Sequence, residues 1–335
     1  MSLLGVKQWI GGWLNERWRT ELVLRAPGLA RLARREWPDL CNRSETVTTC
    51  DDGIGRVCHW SDSSLLTVCR LFPETGGRLL RQVWSPRRVV PPAPLSILLP
   101  VRGMERFEAV SCVARAMSQL AGPDSEVLIC EHAAVPQYGQ PWPEGIRHVH
   151  VPAEEGRAFN KSRAMNAGAR VARHPVLLLH DADVVPSPDY LCRSLELFSR
   201  GWEAVRPIRF LFLLDEGQTR TYLKRGGREE IREIPGVQQN NPGLSTFVRR
   251  DTYMELGGHD ERFEGWGGED LEFLDRLRTR KLYPGAFLPA IHLWHPPADQ
   301  KQSGHRNNDL LRRILQEPAD RRIAQARRQF EGEGS

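Results

Sequence analysis

The chain has no apolar run long enough to cross a bilayer, which sets aside a helical membrane protein. Its N-terminus has no apolar signal core followed by a small-residue cleavage site, so the expectation is a cytoplasmic protein, at most peripheral to the inner face of the membrane. The seven cysteines (Cys41, Cys50, Cys58, Cys69, Cys112, Cys130 and Cys192) include no C-x-x-C pair, which removes zinc ribbons and fingers. An odd number without an export signal favours reduced thiols. There is little excess charge of either sign. A net +5 suits an anionic substrate or an acidic membrane surface and is too weak to argue for nucleic acid. The glycine signature of dinucleotide sites is missing after the first buried strand, which disfavours an NAD enzyme.

What the chain does have is length, a β/α alternation and several polar clusters. Its 335 residues allow one large domain or two smaller ones. Residues 1 to about 40 read as a basic helix with Leu3, Val6, Trp9, Ile10, Trp13 and Leu14 at helical spacing. Trp with Lys and Arg suits a membrane interface with anionic lipid. Docking on the domain through the Trp side chains is the preferred reading. From Arg56 to Trp84, short apolar runs broken by Glu74-Thr75-Gly76-Gly77 suggest a small β-meander or hairpin. Pro86, Pro91, Pro92 and Pro94 then mark a boundary. Beyond it, Leu95–Leu99, Glu126–Cys130, His148–Val151 and Val176–Leu179 read as strands alternating with helices. That is an α/β fold with a mostly parallel sheet, whose ligands bind beyond the carboxyl ends of the strands. Ala204 to Leu214 reads as a further strand, and Asp215 to Gly236 as a mobile surface loop near the site.

Four clusters carry chemistry. Asp181-Ala182-Asp183 follows a buried strand, and alternation along an extended chain would put both carboxylates on one side. Two hard oxygen donors there can hold a divalent metal and, through it, a diphosphate. His292 and His295, three residues apart, offer borderline nitrogen ligands that bias a site toward manganese over magnesium. Phe159-Asn160-Lys161 opens a helix whose basic and amide groups suit phosphate or a nucleotide's polar edges. Finally, Gly257 to Asp270 interleaves glycines with acids and aromatics. Gly267 and Gly268 permit positive φ and would deliver Glu269 and Asp270 to a helix N-terminus.

Together these motifs resemble the metal-dependent glycosyltransferases of the GT-A fold, nearest to the β-1,4-galactosyltransferases and the bacterial chondroitin-polymerase type. The resemblance covers about Leu95 to Asn308. It implies a GT-A, Rossmann-like central sheet flanked by helices, with residues 1–92 as a helical and β extension, 93–303 as the transferase domain and 304–335 as a C-terminal helix. Pro100-Val101-Arg102 matches the motif that contacts the uridine nucleotide, Glu131 the acid facing the nucleoside, and Phe159 and Lys161 a further nucleotide contact. Asp181 and Asp183 match the D-x-D, with Asp183 the direct metal ligand. Gly243, within Asn241–Ser245, matches the segment lining the donor sugar. Trp266, Gly267, Gly268 and Glu269 match the acceptor turn, Asp270 the catalytic base and His295 the late metal ligand. The galactosyltransferases carry Met at the position of His292, which makes this residue either a third ligand or a neighbour. Their vertebrate members sit in the Golgi behind a membrane anchor that this sequence lacks.

The resemblance therefore implies inverting transfer of a hexose or N-acetylhexosamine from a UDP-sugar to a glycan, glycolipid or peptide acceptor, with Mn2+ as cofactor and Mg2+ as the alternative. Three other readings stand beside it. One is a retaining peptide N-acetylgalactosaminyl transferase, disfavoured by Asp after Glu269. The others are an inactive nucleotide-sugar-binding scaffold on the same fold and, last, a hydrolase using the two histidines.

Overall fold

The computed structural model describes residues 3–26, 28, 46–60, 64–84, 89–227, 230–240, 243–265, 267–296 and 305–332. In chain order the strands are β1 (Thr46–Thr49), β2 (Arg56–Trp60), β3 (Ser96–Val101), β4 (Glu126–Ala133), β5 (Ile146–Pro152) and β6 (Val176–His180). Then come β7 (Val184–Pro186), β8 (Ala204–Val205), β9 (Ile208–Leu213), β10 (Gly236–Gln239), β11 (Ser245–Arg249) and β12 (Leu288–His292). The main sheet has the order β5-β4-β3-β6-β11-β8. Its first four strands run parallel, and β11 lies antiparallel between β6 and β8. A second sheet has the order β10-β9-β12-β7.

Three of the runs read as strands, now β3, β4 and β6, are strands buried on both faces, while β5 at the sheet edge is only partly buried. Ile97, Leu99, Val127, Ile129 and Leu178 belong to one hydrophobic cluster. Their neighbours Leu98, Leu128, Leu177 and Leu179 belong to the other. The period-2 alternation of side chains thus gives each face its own core. The helix Phe107–Ala121 covers the first face through Val110, Val113 and Met117. The helix Lys161–Val171 covers the second through Ala164, Met165 and Ala169. A mostly parallel α/β sheet flanked by helices, as expected, is the architecture.

Several local expectations are corrected. Residues 64–83 form the helices Ser64–Leu71 and Pro73–Val83, not strands. Gly76 and Gly77 make no turn there. They let the helix lie against the main chain of Ile234 and Arg232, where an added Cβ would overlap the carbonyl oxygens. Leu65, Cys69, Leu79 and Leu80 join the same cluster as the main sheet, so the proline link separates stretches of chain and not cores. The stretch 204–214 is broken at Arg206-Pro207 into β8 and β9, which belong to different sheets. The expected loop after Asp215 contains the helix Glu216–Lys224, opened by a capping box between Asp215 and Gln218. The N-terminal stretch is helical over Leu3–Gly12 and Trp18–Arg25 with a π turn between. Of the Trp side chains expected to dock, Trp9 lies against Phe72, with ring centres 5.6 Å apart, while Trp13 and Trp18 are exposed.

Candidate active site

The carboxyl ends of β3, β4 and β6 open on one side, and the polar clusters gather there. Strand β6 ends at His180, and the chain turns at once, with the Val184 N–H donating to the Asp181 carbonyl at 3.2 Å. His180 fixes this turn from inside: Nε2 lies 2.8 Å from the Val184 carbonyl and Nδ1 2.7 Å from Ser245 Oγ, which also takes a hydrogen bond from Tyr190. The turn defeats the expectation that Asp181 and Asp183 share a side. Asp183 faces His292 and His295, while Asp181 faces Lys161.

Asp183, His292 and His295 offer one ligand atom each, all within 4.8 Å of one another. Nε2 of His295 is 3.3 Å and Nε2 of His292 3.7 Å from the Asp183 carboxylate, and Arg106 approaches it to 3.2 Å. His295 is oriented through its other nitrogen, 2.7 Å from the Pro296 carbonyl. Burial pushes the Asp183 carboxyl up, but the His295 hydrogen bond and the charges of His292, His295 and Arg106 outweigh it and hold it at about 2. One carboxylate with two imidazoles is a donor set that suits manganese or another borderline divalent ion. These three residues could hold it.

The second cluster centres on Lys161, at the start of its helix, where Asn160 caps by accepting from the Arg163 N–H at 2.9 Å. The Lys161 ammonium lies 2.8 Å from Asp181, 3.0 Å from Asp270 and 3.9 Å from Glu269. Burial pushes it down, yet the three carboxylates hold its pKa well above the ordinary lysine value. The two neighbouring acids are driven apart. Burial and the Asp270 charge raise Glu269 to about 7, and Oε2 of Glu269 is buried with no hydrogen-bond partner. Asp270 is opposed by burial too, but Lys161 and His259 keep it below the usual carboxylate range.

The glycine turn before Glu269 has the expected positive φ, +93° at Gly267 and +94° at Gly268, and Glu269 begins the helix Glu269–Leu277. Trp266 lies outside the described residues. Gly243 abuts Asp270: a Cβ there would sit 2.5 Å from its Oδ2. The next residue, Leu244, is forced to φ +79°, and its carbonyl accepts from the Asp181 N–H at 2.9 Å, which pins the segment over the D-x-D. Behind the turn, Arg276 is fully buried, pairs with Glu272 at 2.6 Å, and donates to the Leu256 and Gly258 carbonyls. Arg322, on the C-terminal helix Ala319–Gly332, reaches Glu272 at 2.9 Å, so that helix braces the turn.

Arg102 follows β3, and with Phe159 and Arg163 it surrounds His132; the two arginines add to burial in lowering the His132 pKa to about 4. Pro100 is a buried strand residue. Glu131 lies near the end of β4. It is fully buried, and its carboxylate accepts from the N–H groups of Gln137 and Tyr138 and lies 2.8 Å from His148, so it ties down the 134–138 turn. Motif reading passed over Arg106, His132 and His259. His259 stacks on Phe273 at 4.3 Å and lies 3.9 Å from Asp270. Their only signal was position: Arg106 and His132 sit near motifs without being part of them, and His259 lies inside the Gly257–Asp270 cluster.

The model of glycosyltransferase family 2 matches residues 115–257. A second, described as the N-terminal domain of galactosyltransferase, matches residues 238–289, which include Gly243 and the Gly267-Gly268 turn. No curated protein matches the chain. Among solved structures, Drosophila β1,4-galactosyltransferase 7 with xylobiose is 18% identical at a TM-score of 0.34. That match covers 58% of this chain and 63% of the other, just under two thirds. A mannosyltransferase from Pyrobaculum calidifontis, with GDP-Man and Mn2+, is 14% identical, covers 78% of this chain and 76% of its own, and has a TM-score of 0.44. Glucosyl-3-phosphoglycerate synthase from Mycobacterium tuberculosis is 15% identical, covers 67% of this chain and 80% of its own, with a TM-score of 0.41.

Proposed function

We propose that this glycosyltransferase is a metal-dependent inverting enzyme that moves a hexose or N-acetylhexosamine from a UDP-sugar to an acceptor hydroxyl. The observation that carries the reading is the meeting of Asp181, Glu269 and Asp270 at Lys161, directly beside the Asp183–His292–His295 donor set. Asp270 is ionised at neutral pH and is the general base that takes the acceptor hydroxyl's proton. Glu269 presents an unpartnered buried oxygen to the acceptor and orients it by hydrogen bonding. Lys161 holds Asp270 and Asp181 in register, so the base and the donor side of the site share one anchor. Gly243 lets the backbone lie against Asp270, where any side chain would push the carboxylate out of place. Asp183, His292 and His295 would hold manganese, which when bound supplies positive charge opposite a diphosphate leaving group. Arg102 and Phe159 line the nucleotide side, and a glycan, glycolipid or peptide would supply the acceptor.

The test is Asp270→Asn. Transfer falls by about 10²–10⁴-fold, as expected for loss of a general base, while manganese-dependent UDP binding is kept. Normal turnover by this variant would show that Asp270 is not the base.

A further inference from the structure

The N-terminal helix presents an apolar stripe that the transferase chemistry does not use. Val6, Trp9, Ile10, Trp13, Leu14, Trp18 and Leu22 are all large, apolar and exposed, between 37% and 57%. With Trp9 and Ile10, and Trp13 and Leu14, as adjacent pairs, they recur every three to five residues over one continuous helix, α-helical from Leu3 to Gly12 and from Trp18 to Arg25. The π turn Trp13–Arg17 absorbs the five-residue step from Trp13 to Trp18 and keeps the stripe on one side. Exposed contiguous patches of this kind mark interaction surfaces.

The opposite face is the one that docks. Gly12 lies against Leu71, Thr20 is fully buried, and the Arg17 guanidinium sits over the Phe72 ring at 4.1 Å. Arg17 pairs with Glu74 at 2.5 Å and Glu21 with Arg78 at 2.6 Å. These contacts fix the helix on the layer Ser64–Val83; Trp9, at the edge of the stripe, also lies against Phe72 with ring centres 5.6 Å apart, and the rest of the stripe faces outward.

We propose that the stripe seats the enzyme on an anionic lipid surface, with the helix lying in the plane of the interface. Three of its seven side chains are Trp, whose apolar body and N–H tip suit the headgroup boundary. Lys7 and Arg25 are exposed on the same helix, and residues 1–40 carry seven basic against four acidic side chains. That balance complements anionic headgroups. It opposes a second copy of the same face, because a two-fold interface would bring like charges together. No helix of the described residues is long and apolar enough to cross a membrane, so the contact is peripheral.

The test is sedimentation of the full chain with vesicles of phosphatidylcholine alone, or of phosphatidylcholine and phosphatidylglycerol in equal parts, with tryptophan emission recorded. The chain partitions onto the anionic vesicles with a blue shift, and added salt weakens the binding. Trp13→Ser with Leu14→Ser reduces partition by roughly tenfold or more and leaves donor turnover unchanged, which also shows that the variant folds. Lys7→Glu with Arg25→Glu removes the preference for anionic vesicles. The proposal is overturned if the wild-type chain stays in the supernatant with both vesicles, or if the serine variant binds as well as wild type. It is equally overturned if the chain is a dimer that the serine substitutions split and neither form sediments, since the stripe then belongs to a second copy.

Discussion

Replacing Glu269 with glutamine should stabilise the protein at alkaline pH while impairing it as an enzyme. Burial and the neighbouring Asp270 charge move Glu269 from 4.5 to about 7. Between those values the folded chain holds a proton that the unfolded chain has released, so stability falls as pH rises through the window. Above pH 7 the whole cost is present. It amounts to about 3 kcal/mol at pH 8 and about 1 kcal/mol at pH 5. Glutamine has the same shape and no charge to oppose. Relative to wild type, Glu269→Gln therefore gains about 2–3 kcal/mol between pH 5 and pH 8. Taking the difference between two pH values cancels any effect of the amide that does not titrate. Urea unfolding at the two pH values measures it, and a slope of about 2–3 kcal/mol per M turns the gain into a midpoint shift of about 1 M. Transfer to the acceptor should fall together with the gain in stability, as expected of a strained functional group. A wild-type-to-variant difference that is the same at both pH values would refute the reasoning, because Glu269 would then ionise as freely in the folded chain as in the unfolded one.

Other outcomes follow from the same geometry. Asp183→Ala removes the one carboxylate of the donor set and should weaken manganese binding by about 10-fold or more, measured by calorimetry, with Asp270→Asn as a control that keeps it. Arg322→Ala detaches the C-terminal helix from Glu272 and should cost about 3 kcal/mol in urea unfolding, since it breaks a buried ion network. Gly77→Ala drives a Cβ into the Arg232 main chain and should cost about 1–3 kcal/mol or more; a substitution as stable as wild type would mean the two segments are not in contact.

The parallel strands β3, β4 and β6 were legible because they are buried on both faces and so read as unbroken apolar runs, as in Leu95–Leu99 and Val176–Leu179, whereas the antiparallel β11 of the same sheet was not. The glycine turn before Glu269 was legible for another reason: Gly267 and Gly268 are needed at positive φ, a constraint that shows in the residue itself. The helices of residues 64–83 were not. Gly76 and Gly77 have the same composition whether they make a turn or admit another backbone, and only the packed chain distinguishes the two. The side of the D-x-D that each carboxylate takes was also hidden. It depends on β6 ending at His180, held by Ser245 from 65 residues away. The same holds for Glu131, whose partners Gln137, Tyr138 and His148 come from beyond its own strand. Lys161 was found by its motif, but its meeting with Asp270 across 109 residues of chain could come only from the fold.

The measurement closest to the central claim is nucleotide release from a panel of UDP-sugars, without added acceptor, in manganese and in EDTA. Many transferases hydrolyse their donor slowly, so the acceptor's identity is not needed. The account predicts UDP release from one hexose or N-acetylhexosamine donor, abolished by EDTA and by Asp183→Ala. Silence across the panel, together with no manganese-dependent binding of UDP, would contradict it and leave a scaffold that carries the fold without the reaction.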